Sequence, residues 1–152
     1  MRRLAFLALL APSLLAAQSS RADSLAVIAV TDSMLAAISA NDWERTATYL
    51  HERGTIIGVQ MQGAAVRASV RNREETRSYK SSNTLLERGF DARAMVDGPI
   101  AVVWLPYDFH VNGQWSHCGV DIFTLIRTEA GWRVVNLTYS VSQPPACRKK
   151  PE

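Results

Sequence analysis

The sequence is poor in the features that announce a reaction. Its 152 residues contain no Gly-x-Ser-x-Gly elbow, no phosphate-cradling loop and no dinucleotide fingerprint, so the common hydrolase and nucleotide-binding signatures are absent. Histidine is scarce: His51, His110 and His117 stand far apart, with no spacing such as His-Glu-x-x-His, so no metal and no cofactor is expected. The apolar run of the opening, Leu4 to Leu15, is about twelve residues, short of the roughly 20 of a spanning helix, which argues against a stable membrane anchor. There is no internal repeat and no low-complexity segment.

Unbalanced charge is also missing. The chain carries 17 Lys and Arg against 14 Asp and Glu. Two of the cations, Arg2 and Arg3, belong to a leader-like opening, in which Leu4 to Leu15 is a short apolar stretch and Leu15-Ala16-Ala17 offers small residues before a cleavage point. Residues 1–17 therefore read as a signal peptide, and export to the periplasm or outside the cell is expected. Without them the net charge is about +1. Arg67, Arg71, Arg73, Arg77 and Lys80 are interrupted by acids and have no aromatic partners interleaved, so they read as a solvated helix face and not as a nucleic-acid surface. The two cysteines, Cys118 and Cys147, are either a disulfide or a buried thiol in a strand and a free one in the tail. An even count in an exported chain favours the bond, worth on the order of 3 kcal/mol for a loop of about thirty residues.

What remains, residues 18–147, suits one compact domain followed by a polar tail, 148–152. Leu25, Ile28, Leu35 and Ile38, widened by Val27, Met34 and Ala37, make a helical stripe over Ser24–Ala40. Asn41 with Glu44 predicts a capping box for a second helix ending near Leu50, and Asn72 with Glu75 predicts another for a third helix, about Arg73–Glu87. Thr55–Val59 reads as a short strand, and residues 60–71 as an edge strand or extended loop. From Phe90 onward the signal is all strand. Asn112-Gly113 joins two runs rich in β-branched and aromatic residues as a type I′ hairpin, and Trp132–Val141 is the last strand. Helices followed by a meander define an α+β fold.

With a two-residue loop and a regular ladder, Asp108 lies opposite His117 and Trp104 opposite Asp121. Asp108, His117 and Asp121 then share one face, with Trp104, Trp115 and Trp132, and are the candidate acid–base residues. The opposite face, with Tyr107, Phe109, Cys118 and Val120, is more apolar and predicts the side packed on the helices. On that reading the pocket is lined by Trp43, Tyr49, Tyr107, Cys118 and Tyr139.

The order of elements, with Gly131-Trp132-Arg133-Val134-Val135 opening the last strand, resembles the nuclear transport factor 2-like (NTF2-like, SnoaL-like) superfamily. Trp104-Leu-Pro-Tyr-Asp-Phe-His110 and His117-Cys-Gly-Val-Asp-Ile-Phe-Thr-Leu125 are similar to an exported bacterial, lumazine-binding-like group within it. The resemblance spans about Ser24–Cys147. It implies a cone in which N-terminal helices pack on a strongly bent antiparallel sheet, and a homodimer through that sheet. Because the superfamily hosts many chemistries, it implies a pocket without naming a reaction. The expected function is binding of a small, mostly apolar molecule. The alternatives are an isomerase, cyclase or hydrolase with an Asp or His general base, and a homodimeric interaction module.

Overall fold

The computed structural model describes residues 12–151, with side chains from Arg21 onward. Most of the leader expected over residues 1–17 therefore lies outside the described residues. Helix α1 (Pro12–Ser39) buries Val27, Thr31, Met34, Leu35, Ala37 and Ile38. The buried stripe runs through Thr31, whose hydroxyl bonds back to the Ile28 carbonyl at 2.8 Å, and Leu25 is left exposed. Asn41 turns the corner in a left-handed conformation (φ 56°), so the cap of α2 (Trp43–Tyr49) passes to Asp42, which accepts from the Arg45 amide at 2.9 Å.

Strand β1 (Leu50–Gln62) pairs with edge strand β2 (Ala65–Asn72), and the Asn72–Glu75 capping box forms as expected at α3 (Arg73–Ser78). That helix stops after six residues. The stretch expected to continue it instead becomes β3 (Leu85–Gly89), because it docks in extended form on an open strand edge. Strands β4 (Arg93–Asp97), β5 (Ile100–Val111), β6 (Gln114–Thr128) and β7 (Gly131–Val141) complete the sheet. Its order is β2-β1-β7-β6-β5-β3, with β4 also on β5. Neighbours are antiparallel except β1 and β7, which run parallel. Asn112 and Gly113 take positive φ (52° and 78°), as a type I′ turn requires.

Two bulges decide which side chains face inward. Beside the turn, His110 pairs with Trp115, but Phe109 pairs with His117, so Ser116 is an extra residue in β6. A second irregularity leaves Val135 extra in β7, between Thr124–Asn136 and Leu125–Val134. The first bulge overturns the regular ladder: Asp108 faces Cys118, Leu105 faces Asp121 and Trp104 faces Ile122. The inner face therefore carries Val103, Leu105, Tyr107 and Phe109 from β5 with His117, Asp121, Phe123 and Leu125 from β6. The second bulge turns Trp132 and Val134 inward together with Leu137, so Trp132 is a core residue and does not share a face with Trp104 and Trp115.

Candidate functional site

A cavity of about 260 Å³ opens between the helices and the inner face of the sheet. Its apolar wall is Ile38, Trp43, Ile56, Phe109, Val111 and Leu137. Its polar groups are Arg71, Glu87, Tyr107, His117 and Tyr139, with Tyr79, Ser81 and Asn83 nearer the connection before β3. The two edge strands of the sheet both reach it, because the sheet curls: Arg71 comes from β2 and Glu87 from β3.

Glu87, Phe109 and His117 form one row across β3, β5 and β6, with the imidazole stacked on the Phe109 ring at 4.8 Å. The Ser39 hydroxyl fixes the backbone of Glu87 by accepting from its amide at 2.8 Å. Burial pushes the Glu87 carboxyl up to about 8 and holds the His117 ring below its usual value, so the imidazole is neutral at pH 7. The Nδ1 of His117 lies 3.1 Å from the Ser116 hydroxyl.

Asp121 is fully buried behind this row, and neither of its oxygens has a hydrogen-bond partner among the described residues. Burial first, and then the charge of Glu87, raise its pKa well above the carboxylate range. A carboxyl so placed is protonated at neutral pH. The same burial and the same two carboxyls keep Tyr107 and Tyr139 as phenols. The Tyr107 hydroxyl donates to the Ser140 carbonyl at 2.8 Å. Tyr139 lies across Gly58, where a Cβ would meet the phenol oxygen at 2.6 Å, so glycine is needed there.

Asp108 is elsewhere. It is buried on the outer face under the C-terminal tail, held by Arg88 through Nε (2.8 Å) and Nη2 (2.7 Å) and by the Lys150 amide (2.7 Å). Burial raises its pKa, but the Arg88 hydrogen bonds, the Lys150 amide and the Arg88 charge outweigh that and hold it below the usual range. Cys118, next to it on that face, is joined to Cys147 by a disulfide with a Cα–Cα distance of 5.8 Å, and Arg148 reaches Asp91 at 2.8 Å. The expected Asp108–His117–Asp121 face is thus split by the Ser116 bulge: His117 and Asp121 point inward, Asp108 outward. Of the expected pocket residues, Trp43, Tyr107 and Tyr139 line the cavity. Cys118 is on the wrong face, and Tyr49 packs on the core rim, accepting from Arg45 Nε at 3.3 Å. Glu87 and Arg71 were missed, the first inside an expected surface helix, the second in an expected solvated basic face. Among the described residues no group of three or more His, Cys, Asp or Glu is placed to hold a metal ion.

A long helix and two short ones against a curled six-strand path with an inward pocket is an arrangement shared with many solved structures. The chain matches an NTF2-like protein with a cystatin-like fold from Novosphingobium aromaticivorans at TM-score 0.69 and 17% identity, covering 91% of this chain and 95% of that one. This chain has the NTF2-like fold. A protein of unknown function from Mycobacterium tuberculosis matches at TM-score 0.70 and 16% identity, over 86% and 78% of the two chains. A proposed dehydratase of the NTF2-like family from Streptomyces avermitilis matches at TM-score 0.62 and 19% identity, over 80% and 97%. No protein-family model and no curated protein matches the chain. At these identities the likeness is one of NTF2-like architecture and not of activity.

Proposed function

We propose that this chain is an exported domain that binds one small, mostly apolar molecule inside its cone. The observation that carries the reading is the cavity of about 260 Å³, with apolar side chains on one part of its wall and polar groups at fixed places on the rest. The leader-like opening and the Cys118–Cys147 bond support export. Fractionation of the host, with the mature chain recovered outside the cytoplasm, tests that part. Binding is tested by native mass spectrometry and thermal shift with small aromatic and alicyclic molecules. The expected result is a one-to-one complex that Val111→Trp, which fills the cavity, abolishes while the free domain stays folded. No binding at millimolar concentrations in the wild type overturns the reading.

A second reading, acid–base catalysis in the same cavity, is favoured by one observation: Glu87 and Asp121 are buried carboxyls with no cation offsetting them. A Glu87 poised near pH 8 can take a proton from a bound molecule and return it at another atom, as an isomerase or dehydratase requires. His117, neutral and on the far side of Phe109 in the same row, also lines the cavity. On this reading Glu87→Gln retains ligand affinity and loses turnover; unchanged turnover removes Glu87 from any such role.

The outer face of β4–β5, where Met95, Ile100 and Trp104 are 68%, 55% and 45% exposed, is proposed as the seat of a second copy. An exposed apolar sheet face of this kind is costly to leave in water.

A further inference from the structure

Arg71 is the one residue of β2 that is not fully exposed, and it stands on the inner side, opposite Ile56. Its guanidinium lies against two rings, 4.4 Å from the centre of Tyr79 and 5.5 Å from that of Trp43, which themselves meet edge to face at 4.6 Å. Stacking of this kind fixes the plane of the group and leaves the N–H donors along its edge unused. No carboxylate pairs with Arg71 among the described residues. Beside it, the buried indole N–H of Trp43 has no hydrogen-bond partner among the described residues.

A cation with no carboxylate partner among the described residues thus lies on the wall of the cavity, with Glu87 contributed by the opposite edge of the sheet. Arg71 and Glu87 stand on β2 and β3, the two ends of the strand order, and form no ion pair with each other among the described residues. Such an arrangement is unsatisfied when empty and complete when an anionic oxygen pair sits on the guanidinium edge.

Resting on the binding reading above, we infer that the ligand is a small apolar monocarboxylate, its carboxylate on Arg71 and its body against Phe109, Ile56 and Leu137. The protonated Glu87 then donates to any acceptor at the far end of the molecule. Neither residue belongs to the set that the sequence pattern alone singles out as charged and functional.

Three probes with one body separate the possibilities: trans-cinnamate, cinnamamide and cinnamylamine, titrated calorimetrically at pH 7. The expected result is cinnamate at least about tenfold tighter than cinnamamide, as a charge-assisted pair in a dry site gives, with cinnamylamine weakest. Arg71→Gln is expected to bring cinnamate down to the level of cinnamamide without changing the amide's affinity, and Arg71→Lys to keep part of the preference. Because Arg71 sits on an edge strand, retention of the wild-type thermal midpoint identifies a folded variant. Equal binding of acid and amide overturns the inference and leaves the pocket standing, as does a preference for the amine, which would make Glu87 and Asp121 the recognition groups. Failure of all three probes removes the pocket reading and the inference with it.

Discussion

Glu87 and Arg88 are consecutive residues with opposite destinations. Alternation along β3 sends Glu87 into the cavity and Arg88 to the outer face, where it closes on Asp108. Their contributions to stability have opposite pH signs. Glu87 has a folded pKa raised from 4.5 to about 8, so the fold is fully favoured below the lower value and loses that contribution as pH rises toward the upper one. Glu87→Gln is expected to gain thermal midpoint relative to wild type as pH climbs from about 5 to 8, read by calorimetry at several pH values; parallel profiles would show that the carboxyl is not buried. Asp108 has a lowered folded pKa, so its contribution is present above the ordinary carboxylate pKa and is lost only as pH falls through its own. Asp108→Asn removes the charge and replaces one of the two accepting oxygens with an NH2 group that faces N–H donors, and is expected to cost about 2 kcal/mol. That is less than for a fully buried pair, because Arg88 is 30% exposed. It should also free the backbone of the tail, so that trypsin cuts after the already exposed Arg148 and Lys149 faster than in wild type, read by mass spectrometry.

At the level of elements, the helix stripe, both flanking strands of the hairpin, the turn and the last strand were legible, since each carries its own periodicity or turn chemistry. The capping box at Asn72 was legible too, but the length of α3 was not. Leu85 and Leu86 fit a helix as well as a strand, and only the free edge of β5 decides between them. The face assignment failed for a different reason. A bulge is one unpaired residue, and nothing in Trp115-Ser116-His117 marks which residue is left out. That single residue turned His117 to the cavity and Asp121 into the core behind it, and left Asp108 outside. The assignment can be tested by deletion. Removing Ser116 keeps Phe109 opposite His117 and Cys118 facing outward, so the variant should fold with a modestly lower midpoint and no free thiol on denaturation. Two free thiols would mean that Cys118 had changed face and that the bulge lies elsewhere. The Cys118–Cys147 bond spans 29 residues. Replacing both cysteines by serine should cost on the order of 3 kcal/mol, or about 6–12 °C in thermal midpoint for a domain of this size.

For the whole molecule, the two sides of one sheet have divided the work. The inner side holds a small cavity with Arg71 and Glu87 on its wall and Asp121 buried behind it, while the outer side is apolar over β4–β5 and latched over β5–β6. If the open apolar area seats a second copy, sedimentation at micromolar concentration should give a dimer, and Trp104→Asp combined with Met95→Asp should give a folded monomer that still binds cavity ligands. A wild type that sediments as a monomer at every concentration would remove the dimer. The latch has a practical consequence of its own. The amide of Lys150, not its side chain, is what Asp108 grips, so any purification handle fused directly after the last residue tugs on a backbone contact within the fold. A handle at the N-terminal side of the domain leaves the latch alone, and reducing agents left over from purification will loosen the same corner. Preparations that differ only in tag placement or thiol content can therefore be expected to disagree about how stable this protein is.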